Sequence, residues 1–317
     1  MIRWLTLLVA AASCAALACD KHVVHRGAQS SASTSHDSID SASLAVESKA
    51  APTCTVDTTF PSPLKVPEAS GAAEVELVPG VREMLVVSDS GNEGAAIAIR
   101  IPDGPVRSLT LALDNGANDD LEGITWRGGH LFTLTSSGAV RRYTPDGKGG
   151  LARDGAAYRI GDPPYSCPNL EKVNCGKNYE GICLRDESSA EVQPRCIGYA
   201  ASKKEGALYC VVMKDNVLSI DSVRKPLILA VPDDSLSDCA FGAWGGPAQS
   251  ALIVTTNVHG GSTSYVVNES TGGVKVMDVP GTPSNEAIAI DREGALYQMM
   301  DDNGDESLAL RMTCSGW

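Results

Sequence analysis

The 317-residue sequence predicts an all-β protein, a five-bladed β-propeller closed by pairing its N- and C-terminal strands. Three observations carry that expectation. Short apolar runs recur behind an acidic residue, a second run ending in a polar turn follows most copies, and 31 Gly with 17 Pro leave little room for long helices. The copies begin Glu68-Ala-Ser-Gly, Glu122-Gly-Ile-Thr, Glu180-Gly-Ile-Cys, Asp238-Cys-Ala-Phe and Glu286-Ala-Ile-Ala, at spacings of 54, 58, 58 and 48 residues. The second runs start at Met84, Leu131, Leu208, Leu252 and Leu296, and third strands follow at Ala139 and Val217. A pair of β-sandwiches would not need an acid at the same phase five times.

The elements follow in chain order. Residues 1–19 join one early Arg to an apolar run ending in Ala16-Leu17-Ala18-Cys19, which reads as an export signal. That end resembles the bacterial lipobox, with Cys19 lipidated as the first mature residue; Ala16 stands where the pattern prefers Leu, and plain cleavage after Ala18 is the alternative. Residues 20–53 are rich in Ser and Ala and too poor in bulky apolar residues to offset ordering, so a solvated tether is expected. The propeller then occupies 54–317. Its last copy is short for a four-stranded blade, and residues 54–67 are expected to supply the missing outer strand. Six blades is the alternative if 186–204 hides a strand pair.

Eight cysteines lie in the propeller segment: Cys54, Cys167, Cys175, Cys183, Cys196, Cys210, Cys239 and Cys314. An even count in an exported chain argues for disulfides, and no CxxC pairs with histidine partners suggest zinc. Blade closure would bring Cys54 to Cys314. Cys167–Cys175 would close a small loop and Cys183–Cys196 would staple a hairpin.

Charge excludes one class of partner. With 26 basic against 39 acidic side chains and a net charge of −13, no basic face is available for phosphates, so no nucleic-acid partner is expected. Aromatic residues at 5% are too few to build stacking platforms.

Glu-Gly-Ile opening one strand, with a following strand ending in Ser, Asp or Asn, resembles the SdiA-regulated and esterase-like phytase propellers over about residues 64–312. It also touches the gluconolactonase and paraoxonase superfamily. The resemblance implies acidic and amide side chains around a central channel, often on calcium, at positions matched by Glu122, Glu180 and Glu286 and more loosely by Glu68 and Asp238. The long Asp/Asn-rich phytase signature and the catalytic histidines of the hydrolytic families have no equivalent here.

The innermost strand of each blade lines the channel, so a repeated acid at its start gathers carboxylates in one ring. Such a ring repels itself unless protons or a cation neutralise it. Oxygen-only donors favour calcium, with Glu122, Glu180, Glu286 and Asp301 as ligands and Glu68, Asp89, Asp238, Asn257 and His259 around the channel. The structural alternative is that each carboxylate caps backbone N–H groups in its own blade. His130 and His259 are the only histidines of the propeller segment, and neither sits in a nucleophile motif such as GxSxG. The function expected is therefore an envelope-anchored monomer that binds a small ligand or an envelope protein and attaches to the membrane through its lipid. A calcium-dependent hydrolase of esters or phosphoesters is the alternative.

Overall fold

The computed structural model describes residues 52–316 apart from 90, 115–119, 186–195, 233, 243–249, 259–260, 281–282 and 301–305. The expected signal with Cys19, the expected tether as far as residue 51, His259 and Asp301 lie outside the described residues, and Thr53, the expected end of the tether, already belongs to a strand. Among the described residues there is no helix, and the strands form five sheets, one per blade.

Blade 1 holds β2 (Ala69–Val78), β3 (Val81–Ser88), β4 (Ala95–Arg100) and β5 (Val106–Thr110) from the axis outward. Blade 2 runs β6 (Leu121–Arg127), β7 (His130–Thr135) and β8 (Ala139–Pro145), with β9 (Leu151–Arg153) and β10 (Tyr158–Arg159) both on β8. Blade 3 comprises β11 (Tyr179–Leu184), β12 (Gly198–Ser202), β13 (Ala207–Lys214) and β14 (Val217–Ile220), with β15 (Leu227–Ile228) also on β13. Blade 4 has β16 (Leu236–Gly242), β17 (Ala251–Val258), β18 (Gly261–Val267) and β19 (Val274–Val276). Blade 5 has β20 (Asn285–Ile290), β21 (Ala295–Met300) and β22 (Leu308–Ser315), and its outer strand is β1 (Thr53–Val56).

Closure is therefore as expected. Cys54 faces Cys314 across the β1–β22 ladder and is bonded to it, 260 residues away in sequence. In the chain-entropy account a loop of that length stabilises the fold by about 5 kcal/mol. The same closure covers the free edge of β22. Blade 3 corrects the strand reading. Among its described residues the 186–204 segment contains one strand, β12, so the run from Leu208 is the third strand of its blade, and the described strands form five blades.

Each blade is buried on both faces, which is why its middle strands read as continuous apolar runs. Alternate residues of β3 divide between seams: Met84 and Val86 pack toward blade 5, Leu85 and Val87 toward blade 2. The five hydrophobic clusters are the five seams between neighbouring blades.

Two disulfides match the sequence reading, Cys54–Cys314 and Cys167–Cys175. The third does not. Cys183 is bonded to Cys239, joining the inner strands of blades 3 and 4, rather than to Cys196. Cys183 lies opposite Tyr199 in the β11–β12 ladder, so Cys196 is out of register with it. Cys196 and Cys210 are buried thiols.

Candidate metal and ligand chamber

Every inner strand carries a β-bulge near its start. The register slips between Ala69 and Gly71, Leu121 and Gly123, Tyr179 and Gly181, Leu236 and Asp238, and Asn285 and Ala287. The extra residues are Ser70, Glu122, Glu180, Ser237 and Glu286. A bulge re-aims its side chain, and here the equivalent side chains share one end of the channel. The sequence alignment is thus displaced by two residues in blade 1, where Glu68 was matched, and by one in blade 4, where Asp238 was matched.

The residue after the bulge closes the channel's waist. A Cβ on Gly123 would lie 2.7 Å from the Gly181 Cα, and one on Gly181 would lie 2.1 Å from the Asp238 Oδ1. The Gly of Glu-Gly is therefore fixed by backbone-to-backbone contact of inner strands. Asp238 holds this waist together: Oδ2 accepts the amide of Ile288 at 2.8 Å and Oδ1 that of Cys239 at 2.7 Å. Burial nevertheless raises its pKa well above the carboxylate range. Asp238 is a tie between blades 4 and 5, not a wall of the chamber.

Above the waist lies a chamber of about 280 Å³, lined by Glu68, Asp89, Asp120, Glu122, Glu180 and Glu286 together with Lys203, Asn174, Ala69 and Ser70. Six carboxylates face one ammonium. Glu180 accepts hydrogen bonds from Asn178 at 3.0 Å and Lys203 at 2.9 Å. Glu286 accepts one from Asn257, and Glu68 one from Asn92 at 2.9 Å. Ser136 donates to Asp120. Among the described residues no hydrogen bond reaches the carboxylate of Glu122, which is 8% exposed. Burial, then Glu180, Asp89 and Asp120, push the Glu122 pKa well up. Burial pushes Glu180 up to about 8, against the opposing pull of Lys203. Burial works against the charge of Lys203, but the facing glutamates, Glu180 first, outweigh it and raise its pKa.

One oxygen each from Asp89, Asp120 and Glu122 lies within 4.8 Å of the others. Two oxygens at 2.3–2.6 Å from one calcium are at most about 5 Å apart, so these three can share one ion. The donor set, oxygen without sulfur or imidazole, fits a hard cation.

The structure brings Glu122, Glu180, Glu286, Glu68 and Asp89 to this chamber, with Asn257 behind Glu286. Sequence reasoning missed Asp120, Lys203, Asn174 and Asn178. A positional signal existed for Lys203. Ser88, Ser202 and Thr256 of the second strands lie opposite Ala69, Tyr179 and Leu236, so Asp89, Lys203 and Asn257 occupy one equivalent place. Misreading β12 hid Lys203 from that comparison.

Below the waist a second chamber of about 600 Å³ is walled by the far ends of the inner strands, with Trp126 and Phe241 beside Arg127, Arg185 and Arg292. All three arginines are engaged within the fold: Arg127 donates to the carbonyl of Arg185, Arg185 bonds Ser250 at 2.9 Å and pairs with Glu269, and Arg292 lies 3.3 Å from Glu74. His130 opens β7 beside the hairpin turn at this end, across from Arg127, away from the acidic mouth.

No family model and no curated protein matches the chain. Among solved structures, glutaminyl cyclase from Myxococcus xanthus is similar over 83% of this chain and 98% of its own, at 11% identity and a TM-score of 0.51. Luciferin-regenerating enzyme aligns over 84% and 97%, at 12% identity and 0.46. A candidate gluconolactonase aligns over 74% and 72%, at 11% identity and 0.42. At such identities the likeness is one of fold: a β-propeller.

Proposed function

We propose that this chain is an exported propeller, anchored in the cell envelope through Cys19, whose acidic chamber binds a divalent cation, calcium by donor type, and through it a small ligand. One observation carries the reading. Glu122, Glu180 and Glu286 converge in one chamber with Asp89 and Asp120, and Glu122 and Glu180 are bonded to no backbone amide among the described residues. That is the arrangement of a charged site rather than of separate strand caps. Three disulfides belong to an oxidising, non-cytoplasmic compartment, which supports export.

The test is a thermal melt in chelator and then in millimolar calcium. The melting temperature is expected to rise with calcium and the rise to vanish in Glu122→Gln. Identical melts would remove the cation from the reading. The anchor is checked separately by Cys19→Ala, which should release the protein from membranes. If the variant stays membrane-bound and unchanged in mass, the anchor is wrong.

A second reading, hydrolysis of an ester or phosphoester, rests on the Glu180–Lys203 pair. A carboxyl held near pH 8 can take or give a proton at neutral pH, and it stands inside the same chamber. A bound divalent cation supplies a Lewis acid for a carbonyl or phosphoryl oxygen. Calcium-dependent turnover of a chromogenic ester or phosphate, lost in Glu180→Gln, would establish it. An inactive panel leaves the binding reading as stated.

A further inference from the structure

The seam between blades 3 and 4 gathers four sulfurs. Cys183, Cys196, Cys210 and Cys239 share one buried cluster with Tyr199 and Leu208, and only Cys183 and Cys239 are bonded. The other two are not isolated thiols. Their side chains are hydrogen-bonded to each other. The Cys196 Sγ lies 3.1 Å from the carbonyl of Gly198 and the Cys210 Sγ 3.9 Å from that of Val211, and Gly198 and Val211 face each other across β12 and β13. Cys210 itself faces Tyr199 and Cys196 precedes β12, but both thiols lie beside the same Gly198–Val211 pair of the blade-3 sheet, 4% and 5% exposed. Every other cysteine from Cys54 to Cys314 is already paired.

We propose that Cys196 and Cys210 close a fourth disulfide, formed by exchange with an external disulfide such as that of a thiol oxidoreductase or oxidised glutathione. In the packed seam their mutual hydrogen bond lowers the Cys196 pKa and raises that of Cys210. In the open chain either thiol, once ionised, can begin the exchange with the same product, and with Cys196 first it runs as two substitutions at sulfur. The Cys196 thiolate attacks one sulfur of the oxidant, forming a mixed disulfide and expelling the oxidant's first thiolate. Cys210 then loses its proton and attacks the Cys196 sulfur, expelling the second. Two protein thiols lose two electrons and two protons, and one external disulfide becomes two thiols. Because both sulfurs are buried, the exchange belongs to folding or to local opening, before the seam is packed. The bond ties the entry of β12 to β13 and leaves Cys183–Cys239 as the complementary pair across the seam. This inference is independent of the acidic chamber.

The test is a disulfide map of the full chain, reduced, refolded in a glutathione redox buffer, unfolded in denaturant with excess N-ethylmaleimide at near-neutral pH, and digested without reduction. The expected map contains a Cys196–Cys210 peptide beside the three bridges already seen, with neither cysteine alkylated. Cys196→Ser should leave Cys210 as the one alkylated cysteine of the propeller and lower the melting temperature by about 5 °C. Cys196 and Cys210 both alkylated while the other three bridges are closed would overturn the proposal. So would a Cys183–Cys196 link. The unsubstituted chain decides the matter if the variant does not fold.

Discussion

Blades 1 and 4 and blades 2, 3 and 5 share one backbone distortion and use it differently. In all five the inner strand bulges near its start. In blades 1 and 4 the bulged residue is serine, and it reaches sideways: Ser70 donates to the carbonyl of Leu121 at 2.6 Å, Ser237 to that of Asn285 at 2.9 Å. Each carbonyl belongs to the residue just before the next blade's bulge, so these serines are latches between neighbours. In blades 2, 3 and 5 the bulged residue is glutamate, and it lines the chamber. Glu180 and Glu286 meet the side chains of Lys203, Asn178 and Asn257. The same place in the fold is structural in two blades and charged in three. Ionised, the three charged places destabilise one another through burial and mutual repulsion.

The largest expected effect tests the scaffold that both kinds of blade rely on. Gly181→Val drives a branched side chain into Asp238 and the β16 backbone, where even a Cβ has no room. A loss of roughly 3 kcal/mol or more is expected in chemical denaturation. Gly129→Ala is the control, since nothing lies within 4 Å of its Cβ and only its φ of +74° opposes the change. Equal losses at the two positions would mean that the waist is not close-packed.

Next in size is calcium, which should separate the two kinds of blade. At a hundredfold excess over its dissociation constant a bound ion stabilises by about 2.7 kcal/mol, worth roughly 5–10 °C in melting temperature. That rise should disappear in Glu122→Gln and persist in Ser70→Ala. A rise that survives Glu122→Gln would place the ion elsewhere.

The contrast also bears on what could be read before the structure. The strands were legible because each blade is buried on two faces, and β-branched and apolar runs such as Met84–Val87 have few other uses. Glu122 and Glu180 were legible because the glycine after each is required by contact at the waist, which makes Glu-Gly a visible mark. Ser70 and Ser237 carry no such mark. A bulge is a backbone event, and an alignment that follows acids slides onto Glu68 and Asp238 instead. Glu68 did reach the chamber rim, in a left-handed backbone conformation of φ 46°, but from the residue before β2. The Cys183 pairing failed for a different reason: an inter-blade contact leaves no trace in local spacing.

Smaller is the effect of pH. Burial raises the folded-state pKa of Glu180 to about 8 from 4.5, and that of Glu122 in the same direction. A raised acid binds more protons when folded, so its contribution is fully present below about pH 4.5 and is lost as pH rises toward 8. In chelator the melting temperature should therefore fall by several degrees between pH 5 and pH 8, and Glu180→Gln should reduce that slope, leaving the part set by Asp238 and Asp291, whose pKa values burial also raises. Asp57 and Asp114, whose pKa values are lowered, act in the opposite sense below about pH 4 and leave this window alone. Calcium binds the ionised carboxylates, so saturating calcium should also reduce the slope. A slope unchanged by both would mean that the chamber carboxylates titrate as ordinary surface groups.

The smallest effect belongs to the latches. Ser237→Ala removes one buried hydrogen bond and leaves the Asn285 carbonyl without its serine donor, a cost of about 1–2 kcal/mol. Ser237 is 1% exposed, so water does not readily replace the hydroxyl. No titrating group takes part, and the loss should be the same at pH 5 and pH 8, with or without calcium. Glu122→Gln should show the reverse pattern, neutral or stabilising in chelator at pH 8 and without a calcium response. If Ser237→Ala instead lowers the calcium response, the blade 4 to blade 5 seam positions the Asn257–Glu286 pair, and the division between latch and charge is one of degree. Calcium titrations of the two variants, followed by melting temperature at both pH values, decide between these outcomes.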